Sequence, residues 1–216
     1  MASKRFAVYT AIFGGYDNFV QVPQGDFDFY LFGEVERGAG WGTFKRVQRQ
    51  FDDPTRDARR IKILSHEMLP EYEYTLWLDG SVRAIKDIDF EFLINTWLKE
   101  ADVAVFEHPY RDCLYEEAAM LWHFERDKRE VIREQVKRYR ALGFPPGKGL
   151  GETAIVLRKN TKAVSFFNDC WWNEVKYGSR RDQLSFPFAV WLSRLNYRFI
   201  EGVWGGYGFA KELHLK

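Results

Sequence analysis

The sequence predicts an α/β fold: one domain, residues 1–216, built around a mostly parallel central sheet. Three observations carry this. Short apolar runs of strand length alternate with helical stretches along the whole chain. The strongest run, Tyr74-Thr-Leu-Trp-Leu78, is continuously apolar rather than alternating, as a strand covered on both faces requires. A chain of 216 residues suits a single domain with enough core to fold without a disulfide or metal staple.

Each element follows from its own signal. Phe6–Ile12 is rich in strand formers and is closed by Gly14-Gly15, so it reads as a first, buried strand. Asp28–Phe32 is a second. Asp53-Pro54 opens a helix, an acidic cap followed by Pro at the first helical position. Its apolar positions Ala58, Ile61, Leu64 and Met68 fall at helical spacing, and Leu69-Pro70 ends it. Strand Tyr74–Leu78 stops at Asp79-Gly80-Ser81. A helix is expected over Phe90–Lys99, a buried strand over Val103–Phe106, and a long, highly charged helical stretch over 114–141. Thr153–Leu157 is a further strand and Thr161–Val175 a helix. Asp182–Leu195 is a helix interrupted near Pro187, and Tyr197–Ile200 is a last short strand.

Composition excludes several function classes. The net charge is +1, which gives no global field for nucleic acid or an anionic membrane. Aromatic residues make up 18% of the chain, too many for disorder and suited in part to lining a sugar or base cleft. Cys113 and Cys170 form no framework, so a reducing compartment and a cytoplasmic location are expected. The N-terminus shows no secretory signal pattern, and no apolar run is long enough to span a bilayer.

In a mostly parallel sheet, ligands bind beyond the carboxyl ends of the strands. Asp79-Gly80-Ser81 lies at such an end. A carboxylate there suits a divalent cation on a diphosphate, because hard cations prefer oxygen ligands, although the same three residues also suit a plain turn. Phe13-Gly14-Gly15-Tyr16-Asp17 closes the first strand, where Tyr9, Phe13 or Tyr16 could stack on a base, or where a simple turn suffices. The helix after Asp53 carries Arg56, Arg59, Arg60, Lys62 and His66. Its guanidinium groups could hold phosphate, Arg60 best of all because it adjoins the apolar stripe, while the bland alternative is a solvated face. His108, Arg111 and Asp112 follow another strand end. Glu152 and Thr153 open a strand, and Asp182-Gln183 opens a helix, where Asp182 also suits a cap. No serine-hydrolase elbow, H-E-x-x-H or zinc spacing is present.

Several of these runs resemble the DUF616 family of glycosyltransferase-like domains. They are Tyr9–Asp17, Arg60–His66, Leu69–Ser81, His108–Glu117, Gly151–Arg158 and Gly178–Pro187, in order across about positions 6 to 195. The compact length also resembles the N-terminal glycosyltransferase domain of a large chlorovirus capsid-glycan protein, which would place the chain in the host cytoplasm. The resemblance implies a GT-A fold, a Rossmann-like nucleotide-sugar transferase. It implies a nucleoside at Tyr9, Thr10, Ala11 and Phe13, with Arg60, Asp79 and Gly80 on the diphosphate. Mn²⁺ or Mg²⁺ would sit on Asp79 and Ser81, with His214 as a C-terminal ligand. Ser81 departs from the acidic residue of the usual Asp-x-Asp pattern. His108, Arg111, Asp112, Thr153 and Gln183 would meet substrate, and Asp182 or Glu152 would be catalytic.

The expected activity is therefore metal-assisted transfer of a sugar from a UDP-sugar, UDP-glucose-like or UDP-L-rhamnose, to a glycan hydroxyl, with a lean toward retained configuration. The alternatives are a non-catalytic nucleotide-sugar or glycan-binding module, which Ser81 and the aromatic excess would suit, and a phosphate-ester hydrolase using Asp79. The hydrolase lacks a dense carboxylate or histidine cluster.

Overall fold

A computed structural model describes residues 4–15, 25–35 and 42–211. Nine strands and seven α-helices are present among them. The main sheet contains β1 (Lys4–Ile12), β2 (Asp28–Gly33), β3 (Thr43–Arg46), β4 (Tyr72–Leu78), β6 (Val103–Glu107), β7 (Gly151–Lys159) and β8 (Tyr197–Ile200). Its order is β3-β2-β1-β4-β7-β6-β8. Only β7 runs against its neighbours: β1 is parallel to β2 and β4, β2 to β3, and β6 to β8. This is the mostly parallel α/β sheet expected. A second, two-stranded sheet pairs β5 (Val82–Ala84) with β9 (Phe209–Lys211).

Both faces of the main sheet are covered, which is why its central strands read as continuous apolar runs. Ala7, Tyr9, Trp77 and Val156 pack on one face against Ile61, Phe167, Trp171 and Phe186. These belong to α1 (Pro54–Ile63), α6 (Lys162–Tyr177) and α7 (Asp182–Ser193). Val8, Leu76, Ala104 and Leu157 pack on the other face against Phe90, Leu93 and Trp97. These come from α3 (Phe90–Leu93), which widens into a π turn over Ile94–Leu98. A smaller cluster joins α7 to α4 (Leu114–His123) and α5 (Arg129–Ala141) through Leu121, Ile132, Tyr139 and Phe188.

Four local expectations change. The helix after Asp53 breaks at Leu64 (φ −85°, ψ 46°) and resumes as the one-turn α2 (Ser65–Met68). The charged stretch 114–141 is two helices, because Glu125 takes a left-handed φ of 50° between them. Pro187 does not interrupt α7. Proline removes one helical hydrogen bond, and the burial of Phe186, Phe188 and Ala189 around it offsets that loss. Strands β3, β5 and β9 had no sequence signal: β3 is largely exposed, and the other two are three residues long.

Candidate functional site

Four charged side chains meet at the end of the sheet where β4 finishes and antiparallel β7 begins. Asp79 directly follows β4, and its backbone closes the turn Asp79-Gly80-Ser81-Val82 through Val82 N–H to Asp79 O (2.8 Å). The turn and site readings of Asp-Gly-Ser therefore hold together. Asp79 Oδ1 accepts from Trp77 Nε1 at 2.6 Å, Arg59 Nη1 at 3.2 Å and Lys62 Nζ at 3.3 Å. Asp182 Oδ1 pairs with Arg59 Nε at 2.7 Å, and its Oδ2 pairs with Lys62 Nζ at 2.6 Å and accepts from Thr153 Oγ1 at 2.8 Å. Arg59 and Lys62, one helical turn apart on α1, thus each bridge both carboxylates.

Burial grades the four. The Lys62 side chain is 0% exposed and Asp182 is 5%, while Arg59 (16%) and Asp79 (22%) form the open side. The Lys62 ammonium also lies 5.8 Å from the Trp77 ring centre and 6.0 Å from that of Trp171, so aromatic faces line its pocket. Burial lowers the Lys62 pKa, against the raising pull of Asp182 and Asp79. Burial alone would raise that of Asp182, but Arg59 and Lys62 beside it hold the carboxyl well below the usual range. Asp182 is thereby held ionised at neutral pH.

This corrects two expectations. Asp182 is not the cap of α7: Arg181 occupies that position, and the carboxylate turns away to α1 and β7. Arg60 is not the arginine of the site. Successive helix residues turn by about 100°, so Arg60 leaves the face that carries Arg59. It is nine-tenths buried and makes no side-chain hydrogen bond or ion pair among the described residues. Arg56 is structural, donating to the last carbonyls of α6, among them Val175 O and, at 2.8 Å, Gly178 O.

The proposed nucleoside strand is equally changed. Tyr9 is wholly buried, with its hydroxyl donating to Lys62 O at 2.6 Å and meeting Arg158 Nη2, and burial raises its pKa. It offers no ring for a base. Thr10, Ala11 and Phe13 are buried too, so their side chains belong to the core. Tyr16, Asp17 and His214 lie outside the described residues.

The remaining candidates fall into separate groups. Glu152 and Thr153 are consecutive on β7, so their side chains take opposite faces; Thr153 reaches Asp182, and Glu152 lies across the strand from it. Burial raises the Glu152 carboxyl above the usual range, against a lowering pull from Lys211. After β6, His108 Nδ1 accepts from the backbone of Tyr110 and Arg111, and Arg111 pairs with buried Glu117 at 2.7 Å. Burial and the Arg111 charge lower the His108 pKa. Asp112 is exposed, and Gln183 is half-buried beside Asp182.

Among the described residues, with His214 outside them, the donor set does not suit a divalent cation. It would have to stand beside Asp79, where two cationic side chains already lie within 3.3 Å of Oδ1. Ser81 adds only a neutral hydroxyl, and both oxygens of Asp182 are ion-paired. Like unit charges 4 Å apart repel by about 4 kcal/mol at an effective dielectric of 20, and a divalent ion doubles that for each neighbour. Among the described residues, the group with metal-ligand proximity is His66, Glu67 and Asp169. Its imidazole is oriented against a metal. Arg158 Nη1 donates to Asn168 Oδ1 (3.1 Å), which turns Asn168 Nδ2 toward His66 Nδ1 (3.2 Å). With Asn168 so turned, Nδ1 is engaged as an acceptor, and Nε2 faces Asp169 at 3.4 Å.

Sequence reasoning found Asp79, Thr153 and Asp182 but passed over Arg59 and Lys62 in favour of Arg60. A usable signal was present: residues 59 and 62 share a face at i, i+3 spacing.

Known proteins bear on this chain as follows. The family described as TOD1/MUCI70, glycosyltransferase-like domain, matches residues 35–200, a span holding all four residues of the cluster. The probable hexosyltransferase MUCI70 of Arabidopsis thaliana is 28% identical over 145 residues, 63% of this chain and 25% of that protein. The alkaline ceramidase TOD1 of Arabidopsis thaliana is 27% identical over 166 residues, 71% of this chain and 36% of that protein. The chain thus spans only a quarter to about a third of the length of these relatives.

Among solved structures, mouse xyloside xylosyltransferase 1 is similar over 91% of this chain and 84% of its own, with TM-score 0.49 and 9% identity. A glycosyltransferase involved in the glycosylation of the major capsid of PBCV-1 is similar over 91% and 80%, with TM-score 0.42 and 10% identity. Core-mannan synthase A of Aspergillus fumigatus, in an Mn/GDP form, is similar over 88% and 70%, with TM-score 0.47 and 10% identity. No residue role follows from likeness at this level. The family match covers most of the chain, and the protein belongs to the TOD1/MUCI70 family of glycosyltransferase-like domains.

Proposed function

We propose that this domain is a glycosyltransferase that moves a sugar from a nucleotide-diphosphate donor, UDP-glucose-like or UDP-L-rhamnose, to a glycan hydroxyl. Family membership supports the class of reaction. The observation that carries it to particular residues is the Arg59–Lys62–Asp79–Asp182 cluster at the carboxyl ends of the parallel strands. That is where α/β sheets bind ligands.

In the reaction the acceptor hydroxyl oxygen bonds to C1 of the sugar. The bond from C1 to the diphosphate oxygen breaks, and the diphosphate leaves with the electron pair. Arg59, on the open side, faces the growing negative charge; preorganised charge of this kind is a large source of rate enhancement. Asp182, held ionised beneath Arg59, balances positive charge developing at C1. It is a poor proton acceptor, because Arg59 and Lys62 keep its carboxyl acidic. We assign the acceptor proton to the leaving phosphate, which goes with retained configuration. Glu152, whose pKa is raised by burial, is the base that an inverting course would use.

A panel of UDP- and GDP-sugars, followed by nucleotide release with and without sugar acceptors, tests this. Acceptor-dependent release is expected, and the product anomer by NMR reports the stereochemistry. Binding without release would make the domain a binding module. Because one relative is named a ceramidase, an N-acylsphingosine belongs in the panel. Fatty-acid release from it, with no sugar transfer, would overturn the proposal.

A further inference from the structure

We propose that this domain binds and activates its donor diphosphate without a divalent cation. The positive charge a metal would bring is built into the chain as Arg59 at the mouth of the site and Lys62 beneath it. The inference rests on the nucleotide-sugar reading above and deepens it.

The charge count carries the argument. A divalent cation at a diphosphate site is held by one or two carboxylates together with the substrate's phosphates, and those carboxylates serve it best when no cationic side chain already pairs with them. Here two carboxylates, Asp79 and Asp182, already face two cations, with pairings of 2.6 to 3.3 Å. Counted over the described residues, the cluster is neutral before any ion arrives. Ser81, where a second carboxylate would make the site anionic, keeps it so. A divalent ion arriving without nucleotide would leave a net charge of about +2 in a largely buried place, a cost that a low-dielectric setting magnifies, so the site does not hold a metal in advance of its diphosphate. Adding a diphosphate instead brings negative charge to the face where Arg59 is partly exposed.

The two cations divide the work by depth. Arg59 side-chain exposure is 16%, and a planar guanidinium matches phosphate oxygens two at a time. Lys62, with no exposure, cannot touch a diphosphate. It is a positioning residue that keeps Asp79 and Asp182 ionised and in register as Arg59 shifts toward phosphate.

Calorimetry of UDP and GDP with the EDTA-dialysed protein, repeated with saturating Mn²⁺ or Mg²⁺, tests this, alongside Mn²⁺ titration of the protein watched by EPR. The expected result is nucleotide affinity within about twofold with and without metal, and a free-Mn²⁺ signal undiminished by the protein. Arg59→Gln should weaken the preferred nucleotide by about tenfold or more and leave uridine or guanosine unchanged. Binding seen only with metal, or stoichiometric loss of the Mn²⁺ signal, overturns the metal-free proposal while leaving the nucleotide reading standing. No binding in either condition overturns both. If Arg59→Gln does not fold, the measurements on the unmutated protein decide alone.

Discussion

Asp182 separates a structural from a chemical role at a single atom pair. Were it a helix cap, Asn would replace it at little cost. Its partners are instead Arg59, Lys62 and Thr153. Asp182→Asn is expected to lower sugar transfer by about 10²-fold, and also to lower the melting temperature, since Asn keeps the hydrogen bonds but not the charge. Transfer within a few-fold of the unmutated protein would remove Asp182 from the chemistry, and Glu152→Gln would be the next variant to assay. Lys62→Met should be costlier for stability. It leaves two carboxylates facing one cation, and breaking a buried pair in this way costs about 3–5 kcal/mol. Urea unfolding measures it, and a loss under about 1 kcal/mol would show that the pairs are well solvated.

At the scale of elements, α1 is held at both ends by side chains that serve the site. Asp53 caps its start through Thr55 N–H (3.0 Å) and meets Arg180 at 3.2 Å. At its end, Arg158 donates to Lys62 O at 2.6 Å and Ile63 O at 3.2 Å, a buried cation at the negative pole of the helix. The segment entering α7 is tied down in the same manner. Gln135 Oε1 accepts from Ser179 N (2.8 Å), and Asp127 Oδ2 accepts from Ser179 Oγ (2.7 Å) and Arg180 N (2.8 Å). Arg56 links the two regions by donating to the α6 terminus. Arg56→Ala should therefore cost about 1.5–3 kcal/mol, the range for hydrogen bonds made by a charged group. Chemical unfolding checks this, and transfer per folded molecule should fall less than in Asp182→Asn.

At the scale of the whole molecule, the charge arrangement predicts how stability depends on pH. The Asp182 carboxyl is depressed in the folded state, so its contribution is present above the unfolded carboxylate pKa of about 3.9 and is lost as pH falls toward the folded value. Asp53, lowered by its backbone and Arg180 contacts against the effect of burial, acts in the same direction. The urea midpoint should fall steeply below about pH 4, and less steeply in Asp182→Asn. Equal slopes in the two proteins would mean that Asp182 is not ion-paired in solution. The described helices include none long and apolar enough to cross a membrane.

Much of this architecture was legible in the residues. Buried strands such as Tyr72–Leu78 and Val103–Glu107 announce themselves as apolar runs, because both faces of a mostly parallel sheet are covered. Capping at Asp53-Pro54 and the ordered family motifs were equally readable, since they are local. Exposed or very short strands such as Thr43–Arg46 and Val82–Ala84 carry no comparable pattern. The site divides along the same line. Asp79 and Asp182 could be named from their positions at element ends, but their partners could not. A run of four cations on one helix looks alike in sequence, and only the angle at which α1 packs on the sheet decides which of them meet carboxylates. Tertiary packing sent Arg59 and Lys62 to Asp79 and Asp182, and Arg56 to the end of α6. It also took Tyr9 into the core and put Glu152 and Thr153 on opposite faces. Charge neutrality of the cluster is for that reason a property of the folded molecule: it depends on contacts between residues 17 to 123 positions apart in the chain, whose pairing no local pattern encodes.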